Sequence, residues 1–431
     1  MAKDKALNSV TKQQRDALMV RPVKREPTSR ADAKLVAALG KIVTAKNVMT
    51  DAKKLRPYAY DQCWLSLIAA QEGKSLSRPD VVVRPRHAKD VAAILKLANK
   101  QHVPVTPWGG GSGVQGAGNA DKGGIIIDLR GMNKIRKIDT KSMTATVEAG
   151  IMGDTFEKKL NSRGLTCTHL PASIHVATVG GYLAARGSGV LSSKYGKIED
   201  HVLNIEGVLP TGEIMDTVAV PRHAMGPELT QLFIGSEGTL GVITAVTLKL
   251  RQQPKARVYG SFLFNRIDDA YNAAREIMVS GLRPPALRLY DKNSSAATLD
   301  KYIGKSIPKP LLIMMFDGDY NDLTRLEADK AFKICKRFKG DDLGPKIGQT
   351  WWNRRYAYYY PPHMYDLPAI WGTMDVVMDY AHTMQVYRAM YAAMKPFEKR
   401  HGLTFTPHFS HVYEWGTMLA ARFKITQGPK D

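Results

Sequence analysis

Cysteine is scarce in this chain. Three stand in 431 residues, Cys63, Cys167 and Cys335, with no C-x-x-C and no paired spacing. That excludes a disulfide framework and a structural zinc site, leaves no metal site to expect, and makes a reducing compartment the default. Long apolar runs are missing too. The most apolar stretch covers 311–316, far short of the roughly 20 residues a membrane span needs. No apolar core follows the N-terminal lysines, so no secretory signal is expected. Asp4, Asp16 and Glu26 among Lys3, Lys5, Arg15 and Arg25 argue against a transit peptide. The 36 glycines show no triplet period and no heptad run is sustained, which excludes collagen-like and coiled-coil folds.

Acidic residues are in deficit, 40 against 62 Lys+Arg, for a formal net charge of +22. The basic residues are spread along the chain rather than gathered in one block interleaved with aromatics. This reads as a solvated basic surface, with anionic small substrates or lipid headgroups next, and no nucleic-acid partner is expected. Hydrophobic residues at 44% and charged residues at 24% fit a globular chain of about two or three domains.

Residues 1–55 are polar, with a helical patch over 33–43, and read as an N-terminal extension that wraps or tethers. From Pro79 the texture changes. A β-branched run over 80–85 precedes a helical period in Val91, Ile94, Leu95 and Ala98. A second extended run over 103–107 then opens into glycines. Further strands are expected over 124–129, 144–149 and 241–250, a helix over 154–162, and a hairpin turning at Thr211-Gly212. After Pro254 strands at 259–264, 287–290 and 311–316 alternate with helices at 268–279 and 322–338, the last expected to be a solvated face. The reading is α+β, with domains at 56–253 and 254–431 and the boundary near 251–257.

The strongest local signal is Pro107, Trp108, Gly109, Gly110, Gly111, Ser112 and Gly113, with Gly116 and Gly118 behind. Consecutive glycines let backbone N–H groups converge on an anion such as a pyrophosphate. Alone, such a run is as readily a plain flexible loop. Two more glycine-rich stretches follow, at 178–189 and 234–244, each abutting a strand. Three together read as backbone surfaces lying close to one large flat ligand.

Segments 107–113, 178–181, 195–200 and 235–244 resemble the FAD-binding domain of the vanillyl-alcohol-oxidase (PCMH-type) flavoproteins. The resemblance implies a two-subdomain FAD-binding domain followed by an α+β cap, or substrate, domain with an antiparallel sheet. Segments 186–189, 195–200, 221–227 and 286–291 look most like the alkylglycerone-phosphate synthases. Segments 208–213 and 229–235 look equally like the D-lactate and glycolate dehydrogenase branch. Carried over, the resemblance implies that Pro107 to Gly113 holds the pyrophosphate. Pro171, Ala172, Ser173 and Ala177, with Ala184, Arg186 and Gly187, would run along the isoalloxazine and its linker, and Thr178, Gly180 and Gly181 would also bind the cofactor. Glu237, Gly238, Thr239, Gly241, Val242 and Ile243, with Ile198, would cover the adenosine side. No histidine follows Ser112-Gly113, so noncovalent FAD is expected.

The second half departs from the synthase pattern. Alanine (Ala420) stands where the synthase tyrosine would fall, Tyr365 where a phosphate-binding arginine would, and the triple-histidine segment would lie beyond Asp431. The expectation is therefore an FAD-linked oxidase or dehydrogenase acting on an alcohol or 2-hydroxy acid. An alkylglycerone-phosphate synthase-like enzyme is the first alternative. A protein that ends early, or that depends on a partner subunit, is the second. His411 and Tyr413, taken to share one face of a strand and to oppose His408, are the candidates for accepting a substrate proton. His169 is a weaker one. Arg288 is a candidate anchor for an anionic substrate, or else a partner of Asp291. Arg355, in the aromatic run 351–360, is the second candidate anchor, or else part of a packed helix. A cytoplasmic location is expected, with peripheral membrane contact and an electron acceptor left open.

Overall fold

A computed structural model describes residues 29–74, 76–357 and 369–426. Two compact units emerge. The first runs to Gly187 and resumes over Lys197–Gln252; the second takes Ser188–Gly196 and the chain from Gln253 onward.

The first unit holds two principal sheets. One orders Val48–Met49, Val81–Val83, Ile125–Asp128 and Val105–Trp108, the last three mutually parallel. Val81–Val83 and Ile125 to Ile127 are wholly buried, which explains their unbroken apolar runs: a strand covered on both faces needs no polar alternation. The helix Ala88–Gln101 packs Val91, Ile94, Leu95 and Ala98 into the same core. Residues 29–55, read from sequence as part of an extension, are built into this layer. The helix Ala33–Val43 buries Leu35, Leu39 and Val43 there, and Val48–Met49 pairs with the first parallel strand.

The other sheet is antiparallel, in the order Ile135–Asp139, Thr144–Glu148, Val242–Lys249, Val202–Val208 and Ile214–Asp216. Its last two strands are the hairpin turned by Gly212, whose φ is +83°.

The second unit is built on an antiparallel sheet in the order Asp341–Asp342, Ala256–Leu263, Leu311–Gly318, Ala286–Tyr290, His408–Ser410, Gly416–Ile425 and Ile370–Asp379. Leu403–Phe405 adds to Gly416–Ile425 beside His408–Ser410. The helix Asn321–Arg337 is not solvated all round: Thr324, Ala328, Ala331 and Cys335 form a buried stripe at helical spacing. The long helix Tyr380–His401 carries no strong apolar period and had no sequence signal.

No helix among the described residues is long and apolar enough to cross a membrane. Tyr358 to Tyr360, Met364, Tyr365, Asp366 and Asp431 lie outside the described residues.

Candidate functional site

In the first unit the three glycine-rich stretches meet. The strand Val105–Trp108 runs into the first loop, where a Cβ on Gly110 would strike the Val176 carbonyl and one on Gly109 the Thr178 side chain. The first loop therefore lies flat against the second, and only glycine permits that approach. Among the described residues no main-chain hydrogen bond takes up the N–H groups of Gly110 or Gly111. The third stretch closes on both. Gly238 has φ +88° and a Cβ there would sit 2.8 Å from Pro107 Cγ. Gly235 N and Glu237 N donate to Leu183 O and Ala184 O at 2.9 and 3.1 Å.

Under the first loop Asp61 is fully buried, and burial raises its pKa. It accepts from Cys63 N and Ser66 Oγ, while Gln62 N donates to Gly113 O. Beside it Trp108 stacks edge-on against Tyr58, whose hydroxyl donates to Asp128 at 2.7 Å. Asp128 is buried between Arg84 and Arg130. Trp108 and Asp61 thus pack against the glycines at 111, 113 and 118.

A cleft of about 260 Å³ adjoins the loops, lined among others by Leu95, Val105, Pro107, Gly238 and Val242. The residues present thus fit a dinucleotide: main-chain donors without side-chain bulk beside a small-walled, largely apolar cleft.

Other residues implied for this site fall differently. Thr178 caps the helix Val179–Ala184 by accepting from Gly181 N at 3.2 Å, with Gly180 inside that helix. Pro171, Ala172, Ser173 and Ala177 form the loop that presents Val176 to Gly110, and Pro171 O and Ser173 O are held within it by Ile174 N and Ala177 N. Arg186 has φ +48° and its guanidinium meets Glu199 and Gln231. Gly187 O accepts from Ile198 N. The Ile198 side chain is fully buried in the sheet's core. Ile243 is buried in that core as well. Thr239 lies in the exposed third loop, and Gly241 borders the cleft. His169 is buried against the rings of Tyr182 and His201.

The second unit gathers the acid–base and cationic groups. Here the expected placement of His411 and Tyr413 on a strand is corrected. The strand ends at Ser410, His411 turns left-handed at φ +52°, and Tyr413 N closes the following turn on Gly416 O. The pair still converges, through Ser192: His411 Nδ1 lies 2.5 Å from Ser192 Oγ, and Tyr413 OH donates to it at 3.5 Å.

His408 does sit on the strand, opposite Tyr290 and Ala420, and is buried. Its Nε2 accepts from Arg288 at 2.5 Å and faces Arg422 at 3.4 Å. Burial first, then the charges of Arg422 and Arg288, hold His408 well below the ordinary imidazole range, so it is neutral.

Arg288 does not pair with Asp291. Asp291 instead caps the helix Lys292–Ile303 and accepts from Tyr387 and Tyr391. Among the described residues Arg288 has no carboxylate partner, and its guanidinium lies over the rings of Trp351 and Tyr290. Arg355 is buried on the faces of Trp352 and Tyr356 and donates to Trp352 O, a packing role.

Sequence reasoning missed Ser192 and Arg422. Nothing local marks Ser192. Arg422, two residues beyond Ala420 on one strand, was legible as sharing its face.

Two family models match: a FAD binding domain over residues 79–217 and the C-terminal domain of FAD linked oxidases over 253–427. An alkyldihydroxyacetonephosphate synthase of Caenorhabditis elegans is 37% identical over 53% of this chain and 39% of its own length. Glycolate oxidase subunit GlcD of Bacillus subtilis is 31% identical, covering 64% and 58%. An uncharacterised FAD-linked oxidoreductase of Escherichia coli K12 is 30% identical, covering 75% and 67%. The chain thus spans from about two fifths to two thirds of these relatives' lengths. A solved alkyldihydroxyacetonephosphate synthase superposes with a TM-score of 0.81 at 27% identity, over 95% of this chain and 80% of that one. A p-cresol methylhydroxylase shares the fold at TM-score 0.72 and 17% identity, over 93% and 84%. The chain has the PCMH-type FAD-binding fold and belongs to the FAD-linked oxidase family, with FAD as its cofactor.

Proposed function

We propose that this protein oxidises a 2-hydroxy acid or a related anionic alcohol, with FAD held noncovalently by the first unit. When bound, FAD supplies a two-electron hydride acceptor. Main-chain groups of 109–113 would face the pyrophosphate, and Pro107, Gly238, Gly241 and Val242 would wall the adenosine.

The observation that carries the reading is Arg288, a cation with no carboxylate partner among the described residues, on the strand next to the one that leads into His411 and Tyr413. A guanidinium in this state suits a carboxylate, whose two oxygens match its fork. Neutral His408 accepts one guanidinium N–H and holds its plane. His411 and Tyr413 stand within the same unit as acceptors for the hydroxyl proton. The similarity to a glycolate oxidase subunit supports this substrate class and leaves room for a partner subunit.

A second reading, a synthase-like exchange of an acyl for an alkyl chain, is favoured by the synthase's superposition over 95% of the chain. Against it stands Ala420, buried opposite His408 with Arg422 nearby, where the synthase resemblance calls for a tyrosine. The readings separate in one experiment. Anaerobic addition of D-lactate or glycolate bleaches the flavin under the first, whereas acyl-for-alkyl exchange without net flavin reduction supports the second.

A further inference from the structure

Ser192 belongs to a nine-residue excursion, Ser188–Gly196, that leaves the first unit's chain path and is part of the second unit. Two anchors fix it there. Lys194 Nζ donates to Asp317 Oδ1 at 3.1 Å and Tyr195 OH donates to the same oxygen at 2.6 Å. Asp317 is itself 2% exposed, near the end of the strand Leu311–Gly318. The short helix Ser192–Tyr195 is thereby pinned with its first residue against His411.

Ser192 is 2% exposed. Its Oγ has two partners among the described residues, His411 Nδ1 at 2.5 Å and Tyr413 OH at 3.5 Å. A buried hydroxyl places its one proton on the nearer, better acceptor. We infer that Ser192 donates to His411 Nδ1 and accepts from Tyr413, and so is a positioning residue that fixes which histidine nitrogen takes up a proton. A neutral imidazole that accepts at Nδ1 carries its own proton on Nε2. His411 is then poised to accept a proton at Nδ1 through Ser192.

The direction of the chain of hydroxyls follows. A proton given up by a substrate hydroxyl passes to Tyr413 Oη as the tyrosine's own proton moves to Ser192 Oγ and the serine's to His411 Nδ1. Tyrosine and serine end neutral, and His411 ends as the imidazolium. The accompanying hydride is the flavin chemistry stated above, and in this respect the inference rests on the proposed function.

The test is a long-range proton–nitrogen spectrum of the full chain labelled with nitrogen-15 histidine, recorded with and without FAD. His411 is expected as the Nε2–H tautomer, and Ser192→Ala is expected to give a mixture of tautomers. In turnover Ser192→Ala lowers kcat by roughly 10–100-fold with KM little changed, and Ser192→Thr, which keeps the hydroxyl, recovers most of it. His411 found as the Nδ1–H tautomer in the unsubstituted protein overturns the inference, and this needs no variant to fold. An unchanged spectrum in Ser192→Ala overturns it too. If no 2-hydroxy acid reduces the flavin, the proposed function fails while the tautomer still reports on Ser192.

Discussion

At the residue scale, Arg288 is the most exposed of the functional readings to experiment. A charge-assisted hydrogen-bonded contact contributes about 1.5–3 kcal/mol. Arg288→Ala is therefore expected to raise KM for an anionic substrate by roughly 10–150-fold, with a smaller fall in kcat, and steady-state kinetics against a neutral alcohol analogue checks the charge dependence. His408 gives a pH prediction. Folding holds it neutral well below the ordinary range, whereas the unfolded chain protonates it near 6.5. Its contribution is thus fully present above about pH 6.5 and is lost as pH falls below that, at up to about 1.4 kcal/mol per pH unit. Urea unfolding across that window is expected to show the loss, and His408→Gln to flatten the slope by one proton. His411 and Tyr413, the proposed proton acceptors, could be picked out in the sequence as residue types, but their geometry could not. Strand alternation placed them on one face, and the left-handed turn at His411 that actually positions them has no signal in a single sequence.

At the scale of elements, the glycine-rich loop depends on the parallel sheet beneath it. Asp128 ends one of its central strands and is the common acceptor for Tyr58, Arg84 and Arg130. Removing the carboxylate takes the common acceptor from Tyr58 and from two partly exposed guanidiniums, so Asp128→Ala is expected to cost about 1–3 kcal/mol, measured by chemical denaturation. Most of the elements involved were readable. Val81–Val83 and Ile125–Asp128 announce themselves as buried strands, and Ala88–Gln101 as an amphipathic helix, because local pattern and burial agree. The helix Lys292–Ile303 was not read, although Asp291 marks its start. Its capping competed with a reading of Asp291 as the partner of Arg288, and only the fold shows which holds. Ser192 was invisible for a related reason: its significance lies in a contact with a residue 219 positions away.

For the whole molecule, the order of domains followed from where the glycine-rich stretches end and the strand–helix alternation resumes. What sequence order did not show is the excursion Ser188–Gly196, which lies inside the FAD-binding half of the chain yet belongs to the other unit. The central claim is that three stretches distant in sequence form one dinucleotide site. Titration of flavin-stripped protein with FAD, read by flavin fluorescence, tests it most directly when run beside Gly238→Ala, which places a Cβ against Pro107 at a positive-φ position. One FAD per unsubstituted chain, with affinity at least about tenfold weaker in the variant, is the predicted result. Equal affinity in the two proteins, or no binding to either, would contradict it.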